Sequence, residues 1–254
     1  MPVARVTRTE LVERVLAESE RGRGGWIITA NVDYLQRFVS SPDSRALYRQ
    51  ADCIVADGMP LLWACKLRGT PLPDRVAGSD LVWLFAEGAA QRGRTLYLLG
   101  GNAGAGERAA QILRARHPAL RIAGISSPRV SNPPSAAELA ALGAELERTA
   151  PDIVYVAFGA PKEELLIGAL RARFPRTWWV GVGISLSFIA GEVKRAPRWM
   201  QRWGLEWLHR LVQEPRRLGG RYLGRNLPFT ARVLCESALV GLRGGASAGA
   251  ASGE

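Results

Sequence analysis

A carboxylate follows an apolar run in the stretch "VADGMPLLW", where Asp57 precedes Gly58 and a helical pattern. A carboxylate in this position has two interpretations. It caps the helix by accepting a backbone N–H, or it faces a cleft and removes a proton from a substrate as a general base. The local sequence leaves both interpretations open, so Asp57 is a candidate catalytic residue.

The stretch "LLGGNAGAGERAA" places a glycine-rich turn between an apolar run and a helical pattern. Backbone N–H groups at such a turn suit a phosphate or a nucleotide, so Gly100, Gly101 and Asn102 are candidate binding residues. The turn does not match GxGxxG, and no convincing acid follows the next apolar run, as a nicotinamide-binding fold would require. Glycine turns also serve packing alone, and both interpretations stay open.

Two further loops combine glycine with charged side chains. In "RVAGSDL", Ser79 or Asp80 is expected to cap a helix, which leaves Arg75 free to meet an anion. In "FGAPKEELL", a lysine and two acids fall in a first helical turn, where acids are favourable for the helix dipole alone. The candidates in this second loop are Gly159, Lys162, Glu163 and Glu164.

The cysteines (Cys53, Cys65 and Cys235) and the histidines (His117 and His209) show no CxxC, Cys/His or Ser/His/Asp arrangement. Their pattern argues against structural zinc and favours a reducing cytoplasm. The sequence therefore predicts no metal site and no cofactor.

Apolar, strand-like runs recur along the chain in alternation with helical patterns. They cover residues 26–31, 52–57, 94–101, 121–126, 152–159 and 177–183. Runs this continuously apolar are buried on both faces, which predicts an α/β fold with a doubly wound, Rossmann-like, mostly parallel sheet and helices on both faces. Such sheets bind ligands outside the carboxyl ends of their strands, where Thr29, Asn31 and Asp57 stand.

Positive charge is concentrated in one short part of the chain. The net charge is +11 over 254 residues. Ten Lys or Arg residues lie between positions 194 and 232 against only Glu206 and Glu214, so this segment carries +8 and leaves +3 for the rest. Such a charge indicates an acidic partner: nucleic acid, an anionic membrane face or a phosphorylated substrate.

The alternation of strands and helices stops near residue 192. The sequence thus predicts an α/β catalytic domain (1–191), a basic, Trp- and Arg-rich helical appendage (192–242) and a disordered tail (243–254). In the appendage, Trp203, Trp207 and Leu211 recur every four residues, a stripe that docks on the catalytic domain or lies in a membrane interface. Gly219 and Gly220 are expected to interrupt the helix and to act as a hinge.

Membrane contact is predicted to be peripheral. The first residues, "MPVARVTRTELVERV", lack the apolar core of a signal peptide. The longest uncharged stretch, residues 177–191, is too short and too rich in glycine for a membrane span.

Seven stretches together resemble one family, the WecG/TagA/CpsF glycosyltransferases (glycosyltransferase family 26). In order, and over residues 26–226, they are "TAN", "ADGMPLLW", "RVAGSDL", "LYLLGG", "PDIVYVAFGAPKEE", "GVGISLSFIAGEVKRAP" and "GLEWLHRLVQEPRR". The resemblance implies transfer of N-acetylmannosamine or a related hexose, with inversion, from a UDP donor to a polyprenyl-diphosphate-linked sugar. It also implies a role in cell-envelope polysaccharide or teichoic acid biosynthesis, at the cytoplasmic face of the membrane and with no known metal requirement.

The resemblance assigns roles to particular residues. Asp57 falls on the proposed general base, and Thr29 and Asn31 fall on the TxN motif. The basic appendage, thought to hold the diphosphate and close the site, falls on Arg210, Arg217 and Arg221. Without a metal, cations must stabilise the departing UDP. The candidate substrate-binding residues are Thr29, Asn31, Arg75, Asp80, Gly100, Gly101, Asn102, Gly159, Lys162, Glu163, Glu164, Ser187, Lys194, Arg195, Arg210, Arg217 and Arg221.

Three places depart from the family's pattern. Glu163 stands where the family usually has Gln, Ser187 where it usually has Asp, and Gly219 and Gly220 where it has bulkier or basic residues. The first two fall in loops expected on the donor side, so a changed donor preference is predicted.

Two other classes of function compete with this interpretation. A nicotinamide-dependent oxidoreductase would share the fold and use the turn "GGNAGAG" at residues 100–106. A nucleic-acid-binding module would explain the charge, although no known motif of that class is present. The favoured partners are a UDP-sugar, a polyprenyl-diphosphate-linked acceptor, an anionic membrane surface on its inner, cytoplasmic face and a second copy of the chain, but no nucleic acid.

Overall fold

The apolar runs form one six-stranded sheet. The strands are β1 (Gly25–Ala30), β2 (Cys53–Ala56), β3 (Thr95–Gly100), β4 (Arg121–Ser126), β5 (Ile153–Ala157) and β6 (Trp178–Gly181). Their order in the sheet is β2-β1-β6-β5-β3-β4, and every pair is parallel. All residues of β1, β2, β5 and β6 are buried, whereas the edge strand β4 is only partly buried. The predicted α/β fold is confirmed.

The structure is a computed structural model that describes residues 1–250, and the side chains of residues 1–243. The predicted disordered tail, apart from Arg243, lies outside the residues described with their side chains. The division into a catalytic domain (1–191) and an appendage (192–242) stays a prediction. Within the described part of the chain, no helix has both the length and the apolar composition needed to cross a membrane.

Helices cover both faces of the sheet. They are α1 (Arg8–Glu20), α2 (Val32–Ser40), α3 (Pro42–Tyr48), α4 (Met59–Leu67), α5 (Gly78–Gln91), α6 (Ala105–Arg116), α7 (Ala136–Thr149), α8 (Lys162–Leu170), α9 (Ser185–Ile189), α10 (Arg198–Arg202), α11 (Glu206–Gln213), α12 (Pro215–Gly219) and α13 (Leu227–Ala250). One apolar core lies between the sheet and α1, α5, α6 and α9. A second lies between the opposite face and α2, α3, α4, α7 and α8.

Three strands bring their carboxyl ends together at the place that concerns function. β1 lies between β2 and β6. Thr29 of β1 pairs with Val55 of β2, and Ile27 of β1 pairs with Val180 of β6. The residues that follow these strands therefore share one edge of the sheet. This position is the one in which open parallel sheets bind ligands.

The chain from α10 to α13 crosses this edge and then packs on α4. Arg68 Nε donates to Ser237 Oγ at 3.1 Å, and Ser237 is fully buried. A Cβ on Gly241 would lie 2.0 Å from the carbonyl oxygen of Leu67, so only glycine permits this close approach of α13. The long C-terminal helix is thereby fixed against the helix that follows Asp57.

The predicted break at Gly219 and Gly220 is wrong. Both residues have right-handed helical backbone angles, and α12 continues through a π-helix, Gly220–Asn226, into α13. Glycine weakens a helix by about 1 kcal/mol relative to alanine but does not forbid one. The buried side chains of Leu218 and Tyr222 anchor the segment on both sides of the glycines.

Candidate functional site

A cavity of about 570 Å³ opens at the carboxyl ends of β1, β2 and β6, and the segment from α10 to α13 forms its opposite wall. It therefore lies between the two parts into which the sequence divides the chain. The predicted site residues that line it are Thr29, Asn31, Asp57, Arg75, Arg210 and Arg221.

Asp57 lies at the floor of this cavity. Its backbone N–H donates to the carbonyl of Ala30 at 2.7 Å, which fixes it beside the end of β1. Helix α4 begins after Gly58, which has φ +139° and makes no side-chain cap. The interpretation of Asp57 as a helix cap is therefore wrong, and its carboxylate is available to the cavity.

The surroundings of Asp57 raise its pKa to about 7. Burial is the largest cause, and the negative charges of Glu206 and Asp80 act in the same direction. The positive charge of Arg75 and the backbone N–H of Gly78 lower the pKa. A carboxyl group with a pKa near 7 suits a general base, because it accepts a proton readily and about half of it is ionised at pH 7.

Thr29 and Asn31 follow each other along the end of β1. The Thr29 hydroxyl donates to the carbonyl of Gly181 at 3.1 Å and so joins β1 to β6. Asn31 caps α2, because its Oδ1 accepts the backbone N–H of Asp33 at 3.0 Å. Among the described residues no hydrogen bond engages its Nδ2, so the two donors of that amide remain for a substrate.

Arg75 belongs to a ring of alternating charges. Its Nη1 lies 3.0 Å from Glu206 Oε2, and its Nη2 lies 3.3 Å from Asp80 Oδ2. Arg195 closes the ring, with Nη1 2.6 Å from Asp80 and Nε 3.2 Å from Glu206. The prediction of a free Arg75 is wrong, and so is that of a cap from Ser79 or Asp80, because Ala77 is the N-cap of α5.

The three appendage arginines are not equivalent. Arg210 and Arg221 line the cavity, and the Nε of each is buried without a hydrogen-bond acceptor in the described part of the chain. Arg221 also pairs with Asp33, a buried carboxylate on α2. Arg217 pairs with Glu214 instead, and 54% of its side chain is exposed. Two cationic donors thus point to an anion in the cavity, whereas Arg217 faces solvent.

The glycine turn after β3 has a packing role in this structure. Gly100 and Gly101 have φ values of +94° and +84°, and a Cβ on Gly100 would lie 2.9 Å from the carbonyl oxygen of Ala157. Asn102 Nδ2 donates to Glu192 Oε2 at 3.0 Å. Among the described residues these three are not part of the cavity lining. Their binding of phosphate stays a prediction.

The charged side chains that follow β5 make contacts within the protein and are not part of the described cavity lining. Lys162 Nζ donates to the carbonyl of Val130 at 2.6 Å. Glu163 and Glu164 are both buried and both contact the hydroxyl of Tyr34, and Glu163 Oε2 also accepts the N–H of Gly159 at 3.0 Å. The two carboxyl groups lie beneath the cavity, so a change of donor preference through Glu163 stays a prediction.

The remaining predicted residues lie away from the cavity lining as it is described. Ser187 is buried on α9, where its carbonyl accepts the N–H of Glu192 at 3.0 Å. The carbonyl of Lys194 accepts from Gln213 Nε2 at 3.0 Å. Contact of these residues with a substrate also stays a prediction.

Several residues of the cavity are not among those predicted from the sequence. Asp33 stands two positions after Asn31, and this proximity to the TxN motif was a usable signal. The apolar wall comes from two helices that are distant in sequence, and an apolar repeat at three- and four-residue spacing in α13 was the available signal. The residues of this wall are Met59, Pro60, Trp63, Leu227, Ala231 and Leu234.

The fold and the site define an α/β enzyme with a carboxyl group of pKa about 7 and two arginines that line a cavity at the carboxyl ends of parallel strands. The chain belongs to the glycosyl transferase WecG/TagA/CpsF family, whose sequence profile matches residues 1–241. The protein is therefore a glycosyltransferase, and the resemblance seen in the sequence is confirmed. The alternative interpretations as an oxidoreductase or as a nucleic-acid-binding module are no longer supported.

Two relatives carry the same descriptive name, N-acetylglucosaminyldiphosphoundecaprenol N-acetyl-beta-D-mannosaminyltransferase. The protein of Bacillus spizizenii is 31% identical over 198 residues, which cover 78% of this chain and 75% of the relative. The protein of Bacillus subtilis is 29% identical over 192 residues, which cover 76% of this chain and 73% of the relative.

Proposed function

We propose that this glycosyltransferase moves N-acetylmannosamine, or a related hexose, from a UDP donor to a sugar carried on a polyprenyl diphosphate, with inversion, in cell-envelope polysaccharide or teichoic acid biosynthesis. The observation that carries the proposal is a cavity lined by Asp57, by two arginines with unused donors and by an apolar wall. These features match the three chemical parts of the acceptor: a hydroxyl group, a diphosphate and a prenyl chain. The names of the two relatives support the same acceptor class.

The reaction follows from the position of Asp57. Its ionised carboxylate takes the proton of the acceptor hydroxyl while that oxygen attacks the anomeric carbon of the donor. The new carbon–oxygen bond forms as the bond to the diphosphate oxygen breaks, and UDP leaves with the electron pair. A single displacement of this kind inverts the configuration at the anomeric carbon.

The arginines of the cavity wall supply charge for the diphosphate. Arg210 and Arg221 each keep a buried Nε–H without an acceptor among the described residues, and an arginine binds phosphate oxygens through parallel hydrogen bonds. A diphosphate would compete with Asp33 for Arg221, since the two already form an ion pair. Binding of the acceptor therefore exchanges one anionic partner of Arg221 for another.

The apolar wall suits the lipid part of the acceptor. Trp63 on α4 and Leu227 on α13 line the cavity and are 38% and 51% exposed, so they lie at its mouth. The C-terminal segment also exposes Trp203 (72%) and Val212 (74%). Exposed tryptophan beside arginine suits the headgroup region of a membrane. These side chains support the proposal that the enzyme acts peripherally, on the inner, cytoplasmic face of the cell membrane.

The test is an assay of a panel of UDP-sugars against a short-chain polyprenyl-diphosphate-GlcNAc. UDP-N-acetylmannosamine, or the UDP form of a related hexose, is expected to give a disaccharide product with inverted anomeric configuration by NMR. Retained configuration, or no transfer from any UDP-sugar, would contradict the proposal. Co-sedimentation of the enzyme with anionic vesicles tests the membrane partner independently of turnover, and analytical ultracentrifugation tests association with a second copy.

A further inference from the structure

Two buried carboxyl groups flank one tyrosine beneath the cavity. Glu163 and Glu164 lie in the first turn of α8 and are 3% and 2% exposed. The Tyr34 hydroxyl oxygen lies 2.8 Å from Glu163 Oε1 and within hydrogen-bond distance of Glu164 Oε1. Tyr34 is on α2 and also lines the cavity, so this cluster connects the interior of the protein to the site.

The geometry of this cluster favours a proton on one of the two acids. A tyrosine hydroxyl carries a single hydrogen, and a hydrogen shared between two carboxylates binds each of them more weakly than one full hydrogen bond would. The second contact is a full hydrogen bond only if the other carboxyl group is protonated and donates to the tyrosine oxygen. Two ionised carboxylates on either side of one buried hydroxyl would also repel each other without a counter-charge.

The partners of the two acids identify which one holds the proton. Glu163 Oε2 accepts the backbone N–H groups of Gly159 at 3.0 Å and Gly183 at 3.3 Å, and such bonds stabilise a charged carboxylate. Glu164 Oε2 is buried without any partner among the described residues, which disfavours a charge there. The donors therefore run from Glu164 to Tyr34 and from Tyr34 to Glu163.

We propose that Glu164, Tyr34 and Glu163 form a hydrogen-bonded relay with one shared proton that positions the loops after β1, β5 and β6 around the cavity. Tyr34 lies on α2, which follows the loop after β1, and its hydroxyl contacts Glu163. Gly159 in the loop after β5 and Gly183 in the loop after β6 both donate their backbone N–H to Glu163 Oε2. Gly183 and Tyr34 both line the cavity. The three are positioning residues, and they act on the reaction proposed above through the shape of the site.

Neighbouring groups on the helices and loops around the cluster also act on it. From α2 and α3 they are Arg37, whose charge acts on Tyr48, and Tyr48 itself, whose pKa burial raises to about 12. The loop after β6 contributes the N–H of Gly183. Burial and then the charge of Glu163 hold the pKa of Glu164 well above its ordinary value of 4.5, and burial also raises that of Glu163. Both causes favour retention of the shared proton in the folded protein.

The sign of the pH effect follows from this raised pKa. Below pH 4.5 the glutamates are protonated in both the folded and the unfolded chain. As the pH rises, the unfolded chain releases its proton while folded Glu164 retains it, so the free energy of unfolding falls until the pH passes the raised pKa of Glu164. Loss of the proton then leaves two negative charges beside Tyr34, which loosens the three loops.

Infrared spectroscopy of the wild-type protein tests the shared proton directly. At neutral pH we expect the carbonyl band of a protonated carboxylic acid that shifts when glutamate carries ¹³C in its side-chain carboxyl group. Labelling of glutamate separates this band from any band of Asp57. Absence of a label-sensitive band would overturn the proposal, and this measurement requires no variant to fold and no substrate.

Glu164→Gln tests the consequence for the site. The amide keeps a donor for Tyr34 but cannot lose a proton, so the band should vanish and the alkaline loss of stability in denaturant titrations should flatten. The alkaline limb of kcat/KM should flatten as well. Tyr34→Phe removes the hydroxyl that joins the two acids and leaves both acids in place. This variant is expected to lose more stability than wild type as the pH rises. Identical pH profiles of stability in wild type and Glu164→Gln would overturn the proposal, whichever sugar the enzyme transfers.

Discussion

Arg75 Nη1 lies 3.0 Å from Glu206 Oε2, and this ion pair joins the loop before α5 to α11 across 131 positions of the chain. Both side chains are mostly buried, with 15% and 20% exposed. The pair thus holds the C-terminal segment at the edge of the sheet where Asp57 lies. It also couples the position of that segment to the electrostatics of Asp57, because the charges of both residues act on the pKa of Asp57.

Removal of the charge of Glu206 is expected to affect both stability and catalysis. Glu206→Gln weakens the hydrogen bonds to Arg75 and Arg195, at a cost of about 1–3 kcal/mol in the free energy of unfolding. It also lowers the pKa of Asp57, so the acidic limb of kcat/KM should move to lower pH. Glu214→Gln, at the more exposed pair with Arg217, is the matched control and should change stability by no more than about 0.5 kcal/mol. Equal effects of the two variants would contradict the role of the buried pair.

Asp57→Asn should reduce turnover by about 10²–10⁴-fold, the usual contribution of a general base. The fold should be kept, since an amide avoids the cost of a buried charge. In the wild type, kcat/KM should rise with pH through about 7, because only the ionised carboxylate accepts a proton. This acidic limb should be absent from the residual activity of the variant. Turnover within a few-fold of wild type would remove Asp57 from the mechanism.

The pKa of Asp57 also predicts a pH dependence of stability. It is raised from 3.8 to about 7 in the folded protein, so the contribution of this group to stability is complete below pH 3.8 and is lost as the pH rises through about 7. Asp57→Asn should therefore become more stable relative to wild type over that interval. Denaturant titrations of both proteins between pH 4 and 8 provide the measurement, and a constant difference would be the contrary result.

Substitution of an arginine that lines the cavity is expected to weaken substrate binding, whereas substitution of an arginine that faces solvent is expected to weaken membrane binding. Arg210→Ala should raise KM for the acceptor by at least about tenfold, which corresponds to about 1.4 kcal/mol of binding. Arg217→Ala should weaken binding to anionic vesicles by about 1 kcal/mol and leave transfer in detergent nearly unchanged. Transfer assays and co-sedimentation at low and high salt measure the two effects. The same loss of transfer in both variants would contradict the separation.

The apolar wall should distinguish acceptors by their chains. Ala231→Trp places a large ring in the cavity between α4 and α13, so KM for a long polyprenyl acceptor should rise by about tenfold or more, whereas a methyl-diphosphate acceptor should be affected less. Leu239→Trp is the control, because Leu239 is 55% exposed on α13 and is not part of the described cavity lining. An equal effect of Ala231→Trp on both acceptors would place the prenyl chain elsewhere.

The strands could be predicted to within one or two residues because most of them are buried on both faces and are therefore apolar along their length. Thr29, Asn31 and Asp57 could be placed at one edge of the sheet because the carboxyl ends of parallel strands lie side by side. The ion pairs of Arg75 with Glu206 and of Arg221 with Asp33 could not be predicted, because the two residues of each pair lie 131 and 188 positions apart in the sequence. Local spacing also does not show that α13 packs on α4 to form the apolar wall.

The path of the chain around the cavity has a consequence for biosynthesis. The residues of the floor precede the end of β6 at Gly181, whereas Leu227, Ala231 and Leu234 of the opposite wall follow it. During translation the ribosome therefore releases all six strands before the residues that enclose the site. A nascent chain can assemble its sheet with Asp57 in place while the cavity is still open on one side. The enclosure of the cavity by α13 then follows the assembly of its floor.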